Sequence, residues 1–358
     1  LDYTLKSGIL LNNNSNDKST TLDNLYKMMT TKRAEGLDTR TMLNDTIKTI
    51  ANPCIITQHF GNLPENLKPT IQAYDPTAEE VTHSGCCVAA SIEYNLASQM
   101  PAEFVRVAEG ISSEKMAVNK TIDLKNLCDN KDDAKWLLDN FKIPYQMKDN
   151  NKADVTIAPD KNAIIRAHIQ TVDKDDLERS PLDVLMQSTF MNVGSQQTYN
   201  TLNDTRVASF GPGDKGLVEI EKTFTESVVT DSNKTSVTFQ DLQEATDKNG
   251  NPAAKLVGYK ADFNVVKRSL LNSMASGQNV IIGYTSVDED NNIINGHEIT
   301  VIGAKVAPDG KLIFVCNDTD DDLAAPVEYH EDYIIPRIHH VGLPTEVVEA
   351  DNKLKSIA

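Results

Sequence analysis

Three apolar segments near the C-terminal end constrain the fold most strongly, because only short polar turns separate them. They are Asn279–Tyr284, His297–Ala304 and Lys311–Cys316. Apolar runs of strand length joined by such turns predict neighbouring antiparallel strands. None of them approaches the roughly 18 residues of a membrane-spanning helix. This part of the chain is therefore predicted to be an antiparallel β lobe.

The earlier part of the chain has helical patterns instead. From Cys87 to about Met100, the side chains of Val88, Ile92 and Leu96 recur every four residues, as on one face of a helix. The predicted class is α+β, with a helical lobe and a β lobe. The predicted segments are a helical N-terminal extension at 1–52, a helical lobe at 53–150, a β-rich lobe at 151–340 and a C-terminal tail at 341–358.

A large insertion is predicted in the β lobe, at about 160–258. Ala163–Gln170 and Gly216–Phe224 alternate as strands do, whereas Asp183–Met191 has a helical pattern. Lys248-Asn249-Gly250 is typical of a hairpin turn. We expect this insertion to pack on the β lobe and to contain no catalytic residue, although it includes His168.

The composition excludes several function classes. The 358 residues carry a formal charge of −17, which argues against a nucleic-acid or anionic-membrane partner, since both require basic patches. Five scattered cysteines indicate no disulfide framework. No zinc-like spacing occurs, so no cofactor or metal is expected. The chain begins at Leu1 rather than Met, which indicates a trimmed or omitted N-terminal piece and leaves both a secreted and a cytoplasmic protein open.

Several histidine and aspartate clusters are interpreted as solvated surface or turns rather than as metal sites. They are His339-His340 with His330, Asp288–Asn292, and Asp318–Asp322. Neither acidic run has the glycine and glutamate of an EF-hand loop.

Cys87, His297 and Asn317 stand in the chain order that thiol-based acyl transfer requires. Cys87 follows Gly85 where a helix begins, and a helix N-terminus favours the thiolate. His297 opens an apolar strand, and Asn317 ends the next one, where its amide could orient the imidazole. Each residue alone could be structural: free cysteines are usually buried, and an asparagine can simply open an acidic turn.

Together these residues resemble the papain-like cysteine peptidases. The segment Gly85-Cys86-Cys87-Val88-Ala89-Ala90-Ser91 is similar to the family's nucleophile motif, with Cys87 at the nucleophile position. Gly296–Ala304 resembles the histidine motif, especially in its calpain branch. The resemblance covers about Gly85–Met100 and Asn264–Asp318, and it implies a Cys87–His297–Asn317 triad that cleaves a peptide or protein substrate through a thioester acyl-enzyme.

The chain also departs from the family. Val81 stands where the family has the glutamine that completes the oxyanion hole, and His83, Thr82 or Gln58 are the possible replacements. Val88 replaces the tryptophan that follows the family's cysteine. The alternatives are an amidase or transpeptidase with the same triad, and a catalytically inactive papain-like binding or structural module.

Two further expectations follow. Residues 1–52 precede the nucleophile, as a prodomain does in this family, and are either an intramolecular prosegment or a structural extension.

Successive helical residues point about 100° apart, so only one of Cys86 and Cys87 can face the cleft. The family spacing selects Cys87.

Overall fold

A computed structural model describes residues 2–59, 84–172, 178–207, 216–246, 252–321 and 323–350. The chain forms two compact units: Leu1–Asp231 with Thr319–Ala325, and Ser232–Asp318 with Pro326–Ala358. The first is mainly helical and the second is built on antiparallel strands, so the predicted α+β class is confirmed. The strand-rich unit begins at Ser232 rather than near residue 151.

The helical unit contains nine described helices and one small sheet. The helices are α1 (Asp2–Lys6), α2 (Thr21–Thr30), α3 (Thr39–Ala51), α4 (Cys87–Gln99), α5 (Pro101–Ser112), α6 (Lys131–Asn140), α7 (Ala163–Val172), α8 (Pro181–Gly194) and α9 (Glu219–Thr230). Strands β1 (Val118–Asp123), β2 (Tyr145–Met147) and β3 (Lys152–Ile157) pair antiparallel in the order β1-β3-β2.

Helix α4 lies in the core of this unit and packs against α5 and α8. Its predicted stripe of Val88, Ile92 and Leu96 is at most 1% exposed. Small residues such as Ala89 and Ala90, also fully buried, allow the neighbouring helices to approach closely. The prediction of a helix from Cys87 to about Met100 is confirmed, and Pro101 opens α5 directly after it.

One face of each of α2 and α3 packs into the core of the helical unit. Met28 and Met42 are fully buried, and Arg33 donates hydrogen bonds to the Glu109 carboxylate and to the Ser112 hydroxyl of α5. The Arg33 and Glu109 side chains are only 2% and 3% exposed.

The predicted strands at Ala163–Gln170 and Gly216–Phe224 are wrong, because helices α7 and α9 occupy these segments. In α7 the buried positions include Ala163, Arg166 and Ala167, which is helical spacing rather than alternation. The residues from Ala163 to Thr230 lie in the helical unit, so this part of the predicted insertion does not belong to the β lobe. The predicted turn at 248–250 lies outside the described residues.

The strand-rich unit contains eight described strands and two helices. They are β4 (Lys234–Thr238), β5 (Gln240–Thr246), β6 (Pro252–Tyr259), α10 (Phe263–Ala275), β7 (Val280–Val287), β8 (Ile293–Val306), β9 (Leu312–Asn317), β10 (Val327–His330), α11 (Glu331–Ile334) and β11 (Ile338–Pro344). Six strands form one antiparallel sheet in the order β10-β9-β8-β7-β11-β4, and β5 and β6 form a separate hairpin.

One face of the six-stranded sheet carries the core of this unit. Alternate residues of β7, β8 and β9 point to that face, and helix α10 contributes Val266 and Leu270. The three strands predicted at the C-terminal end are therefore confirmed, and the amphipathic helix α10 precedes them. Gly277 follows that helix with φ +82°, a left-handed conformation that glycine adopts at helix ends without steric cost.

Candidate active site

Cys87 is the first residue of α4 and is partly exposed, whereas Cys86 is completely buried. The N–H groups of a helix's first turn have no acceptor within the helix, so they are available to a group bound at this position. The two adjacent thiols therefore have different surroundings, in the arrangement that the 100° rotation predicts.

The thiol of Cys86 is held among buried polar groups. Its Sγ lies 3.0 Å from the Tyr199 hydroxyl and 3.5 Å from Asp204 Oδ1. Burial, and then the negative charge of Asp204, raise the pKa of Cys86 to about 12. A thiol of this kind is a poor nucleophile at neutral pH, so Cys86 serves to anchor the start of α4.

Gln58 lies beside the turn that leads to Cys87. Ser84 Oγ donates to the Gln58 carbonyl at 2.6 Å. The Gln58 side chain is held by two neighbours, since its Nε2 donates to Asp320 Oδ1 at 3.2 Å and its Oε1 accepts from Thr319 Oγ1 at 3.1 Å. Val81, Thr82 and His83 lie outside the described residues.

His297 lies in β8 of the strand-rich unit, and its partner is Asp318. The imidazole Nε2 is 2.7 Å from Asp318 Oδ1, and the two side chains are only 10% and 9% exposed. A neutral imidazole that donates Nε2–H to this carboxylate has its lone pair on Nδ1. The Tyr284 ring of β7 packs edge-on to the imidazole, with centroids 5.7 Å apart. The arrangement fixes both the ring and its tautomer.

The predicted hydrogen bond from Asn317 to His297 is not the one the structure contains. Asn317 is 1% exposed, and its Oδ1 has no hydrogen-bond partner among the described residues. The reason is the alternation of side chains along β9: Phe314 and Cys316 point to the core face, as Asp318 then does, whereas Asn317 points to the opposite face. Asp318 therefore takes the position that the sequence analysis gave to Asn317.

Tyr329 of β10 completes the surroundings of Asp318. Its hydroxyl donates to Asp318 Oδ2 at 2.9 Å, so each carboxylate oxygen has its own donor. Burial and the nearby Asp318 charge raise the pKa of Tyr329, and the same two causes raise the pKa of Cys316. Neither Asp318 nor Tyr329 was predicted as a site residue, although the alternation in Leu312–Asp318 contains the signal.

Two of the other histidines, His168 and His340, have structural partners. His168 Nδ1 lies 3.2 Å from the Gly36 carbonyl in the helical unit. His340 is 1% exposed, with its Nε2 2.7 Å from Ser236 Oγ. Asp288 accepts hydrogen bonds from the backbone N–H groups of Asp290 and Asn292, as in a turn.

In the described part of the chain, no group of three or more His, Cys, Asp or Glu side chains could hold a metal ion. Within the same residues, no helix is long and apolar enough to cross a membrane.

Comparisons with protein-family models, with characterised proteins and with solved structures find no match to this chain. The site is therefore interpreted from its own residues.

Proposed function

We propose that this protein is a papain-like cysteine peptidase in which Cys87 is the nucleophile, His297 the base and Asp318 the residue that orients His297. The observation that carries the proposal is the buried hydrogen bond between His297 Nε2 and Asp318. It leaves Nδ1 as the basic ring nitrogen and supplies a carboxylate that stabilises the imidazolium.

In the proposed reaction, Cys87 Sγ attacks the carbonyl carbon of a peptide bond while His297 Nδ1 takes the thiol proton. The tetrahedral intermediate then collapses to a thioester, and His297 returns the proton to the departing amine. Water attacks the thioester, His297 takes a proton from that water, and the carboxylic acid leaves with the thiol restored. Asp318 stays ionised throughout and offsets the charge on His297.

The oxyanion of the tetrahedral intermediate requires two donors. The first is the backbone N–H of Cys87, one of the first-turn donors of α4. We assign the second to Gln58, because its Nε2 carries two hydrogens and Asp320 accepts one of them. Its carbonyl contact with Ser84 links it to the turn before Cys87. Removing such a donor typically lowers kcat by a factor of about 100 to 1,000.

The test is cleavage of a mixed peptide library, with products identified by mass spectrometry. We expect hydrolysis by the wild-type protein and none by folded Cys87→Ser or His297→Ala. Products joined to an added amine would instead identify a transpeptidase. Absence of any acyl transfer by a wild-type protein whose Cys87 reacts with small alkylating agents would overturn the enzymatic assignment.

A further inference from the structure

Asp204 is a buried carboxylate that contacts both residues preceding Cys87. Its side chain is 0% exposed. The Gly85 N–H donates to Oδ2 at 2.6 Å, and the Tyr199 hydroxyl donates to Oδ1 at 2.8 Å. Cys86 Sγ also lies 3.5 Å from Oδ1. One carboxylate thus holds the backbone of Gly85 and the side chain of Cys86.

The loop that carries Asp204 is itself closed by backbone hydrogen bonds. Asn200 and Thr205 exchange N–H···O bonds of 2.8 Å and 3.4 Å across it. Asp204 has φ +51°, a left-handed conformation that Asp and Asn adopt more readily than most residues. The loop therefore has a defined shape in which the carboxylate is directed at the start of α4.

We infer that Asp204 is the positioning residue for the nucleophile, fixing the direction in which Cys87 leaves the turn. The inference deepens the proposed function and rests on it for its catalytic consequence. With Gly85 and Cys86 both held, the rotation of about 100° per helical residue leaves Cys87 one orientation at the first turn. Its thiol and its N–H are then placed together, the first as nucleophile and the second as oxyanion donor.

The Gly85 and Cys86 N–H groups have partners of their own. Gly85 N–H donates to Asp204, and Cys86 N–H donates to Ser84 Oγ at 3.3 Å. The first N–H after this turn is that of Cys87. Loss of the Asp204 contacts would release the Gly85 N–H and leave the Cys86 thiol with the Tyr199 hydroxyl and Arg179 as partners, so the start of α4 could shift by a fraction of an ångström or more. Displacements of about 1 Å at a reacting group can lower rates by about 100-fold.

The experiment compares Asp204→Asn with a matched control, Asp231→Asn. Asp231 belongs to the same unit, has φ +50°, and likewise accepts a backbone N–H, that of Asp123 at 3.0 Å. Both replacements keep a residue that tolerates positive φ and remove one carboxylate oxygen. An asparagine at 204 keeps one acceptor oxygen for the Gly85 N–H, so its NH₂ faces Tyr199 and Cys86, and the Tyr199 hydroxyl must turn from donor to acceptor.

The measurement is the alkylation rate of Cys87 by iodoacetamide, divided by that of Cys128 in the same sample, with each site read by tandem mass spectrometry. Cys128 is also a partly exposed free thiol of the helical unit, so general loosening affects both rates. We expect the ratio to fall by about 10- to 100-fold in Asp204→Asn and to stay at the wild-type value in Asp231→Asn. Tyr199→Phe, which keeps the Gly85 contact, should give a smaller decrease in the same direction.

An unchanged ratio in a folded Asp204→Asn or Tyr199→Phe protein would overturn the inference. The assay needs no peptide substrate, so its outcome is separate from that of the proposed function. If wild-type protein cleaves nothing but the ratio falls as expected, the positioning role stands and the peptidase does not. If peptides are cleaved and Asp204→Asn lowers kcat with little change in KM, the positioning role of Asp204 and the peptidase assignment both stand.

Discussion

Replacing Asp318 tests the contact that distinguishes this site from the predicted one. The His297 and Asp318 side chains are 10% and 9% exposed, and their 2.7 Å contact is shielded from solvent. A hydrogen bond to a charged group contributes about 1.5–3 kcal/mol, and about 1.4 kcal/mol corresponds to tenfold in rate. Asp318→Ala should therefore lower kcat by about 10- to 150-fold.

Asp318→Asn should be less damaging than Asp318→Ala. Its amide oxygen can still accept from His297 Nε2–H, while its NH₂ donates to the Tyr329 hydroxyl oxygen, which can turn from donor to acceptor. The His297 tautomer is therefore kept, and only the negative charge at position 318 is lost. The matched control is Asn317→Ala, which should leave kcat close to wild type because Asn317 points to the other sheet face.

The assays are kcat on a cleaved peptide and ¹⁵N NMR of the His297 ring, which identifies the protonated nitrogen. We expect Nε2–H in wild type and in Asp318→Asn. The reasoning is refuted if folded Asp318→Ala is fully active, or if Asn317→Ala is as damaging as Asp318→Ala.

Three further predictions concern stability and the second cysteine. Glu109→Gln leaves buried Arg33 without its carboxylate and should lower the free energy of unfolding by about 3 kcal/mol in denaturant titration; an unchanged midpoint would contradict this. Glu93 and Asp183 are both buried; burial and then the Asp183 charge raise the pKa of Glu93, and burial chiefly raises the pKa of Asp183 to about 6. Their stabilising contribution is complete below the unfolded-state pKa values and is lost as the pH rises through the folded-state values. Glu93→Gln should therefore reduce the decrease in Tm between about pH 4 and about pH 8, whereas an unaltered pH profile would count against the pair. Cys86→Ser should retain both turnover and Cys87 labelling, because the pKa of Cys86 is about 12 and the serine hydroxyl can replace its thiol contacts; loss of both in a folded variant would contradict the assignment of Cys87 as the nucleophile.

The sequence allowed good prediction of elements whose own pattern decides their structure. The stripe of α4 and the apolar runs of β7, β8 and β9 each carry the period of the element they form. Helix α9 was mistaken for a strand because Leu217–Glu221 alternates. The structure instead uses Glu221 as the helix cap, with Oε2 accepting the Val218 N–H at 2.9 Å.

Cys87 and His297 are proposed from local spacing in the sequence and stay predictions, whereas the contacts of Asp204 and Asp318 come from the structure. Cys87 is the first residue of α4, as predicted, whereas His297 lies inside β8, which begins at Ile293 rather than at the histidine. Asp204 lies more than a hundred positions from Cys87 and is brought to it by loop closure, which no short motif encodes. Asp318 is different: counting alternate residues from Phe314 and Cys316 points to it rather than to Asn317.

Labelling with an active-site-directed epoxide tests the central claim most directly, because it reports both the nucleophile and its dependence on the base. The account predicts one label per wild-type chain, located on Cys87 by tandem mass spectrometry and abolished by prior denaturation. Folded His297→Ala should lose rapid labelling while its Cys128 reacts normally with iodoacetamide. A label on Cys86, or undiminished labelling of Cys87 in folded His297→Ala, would contradict the proposed pairing of Cys87 with His297.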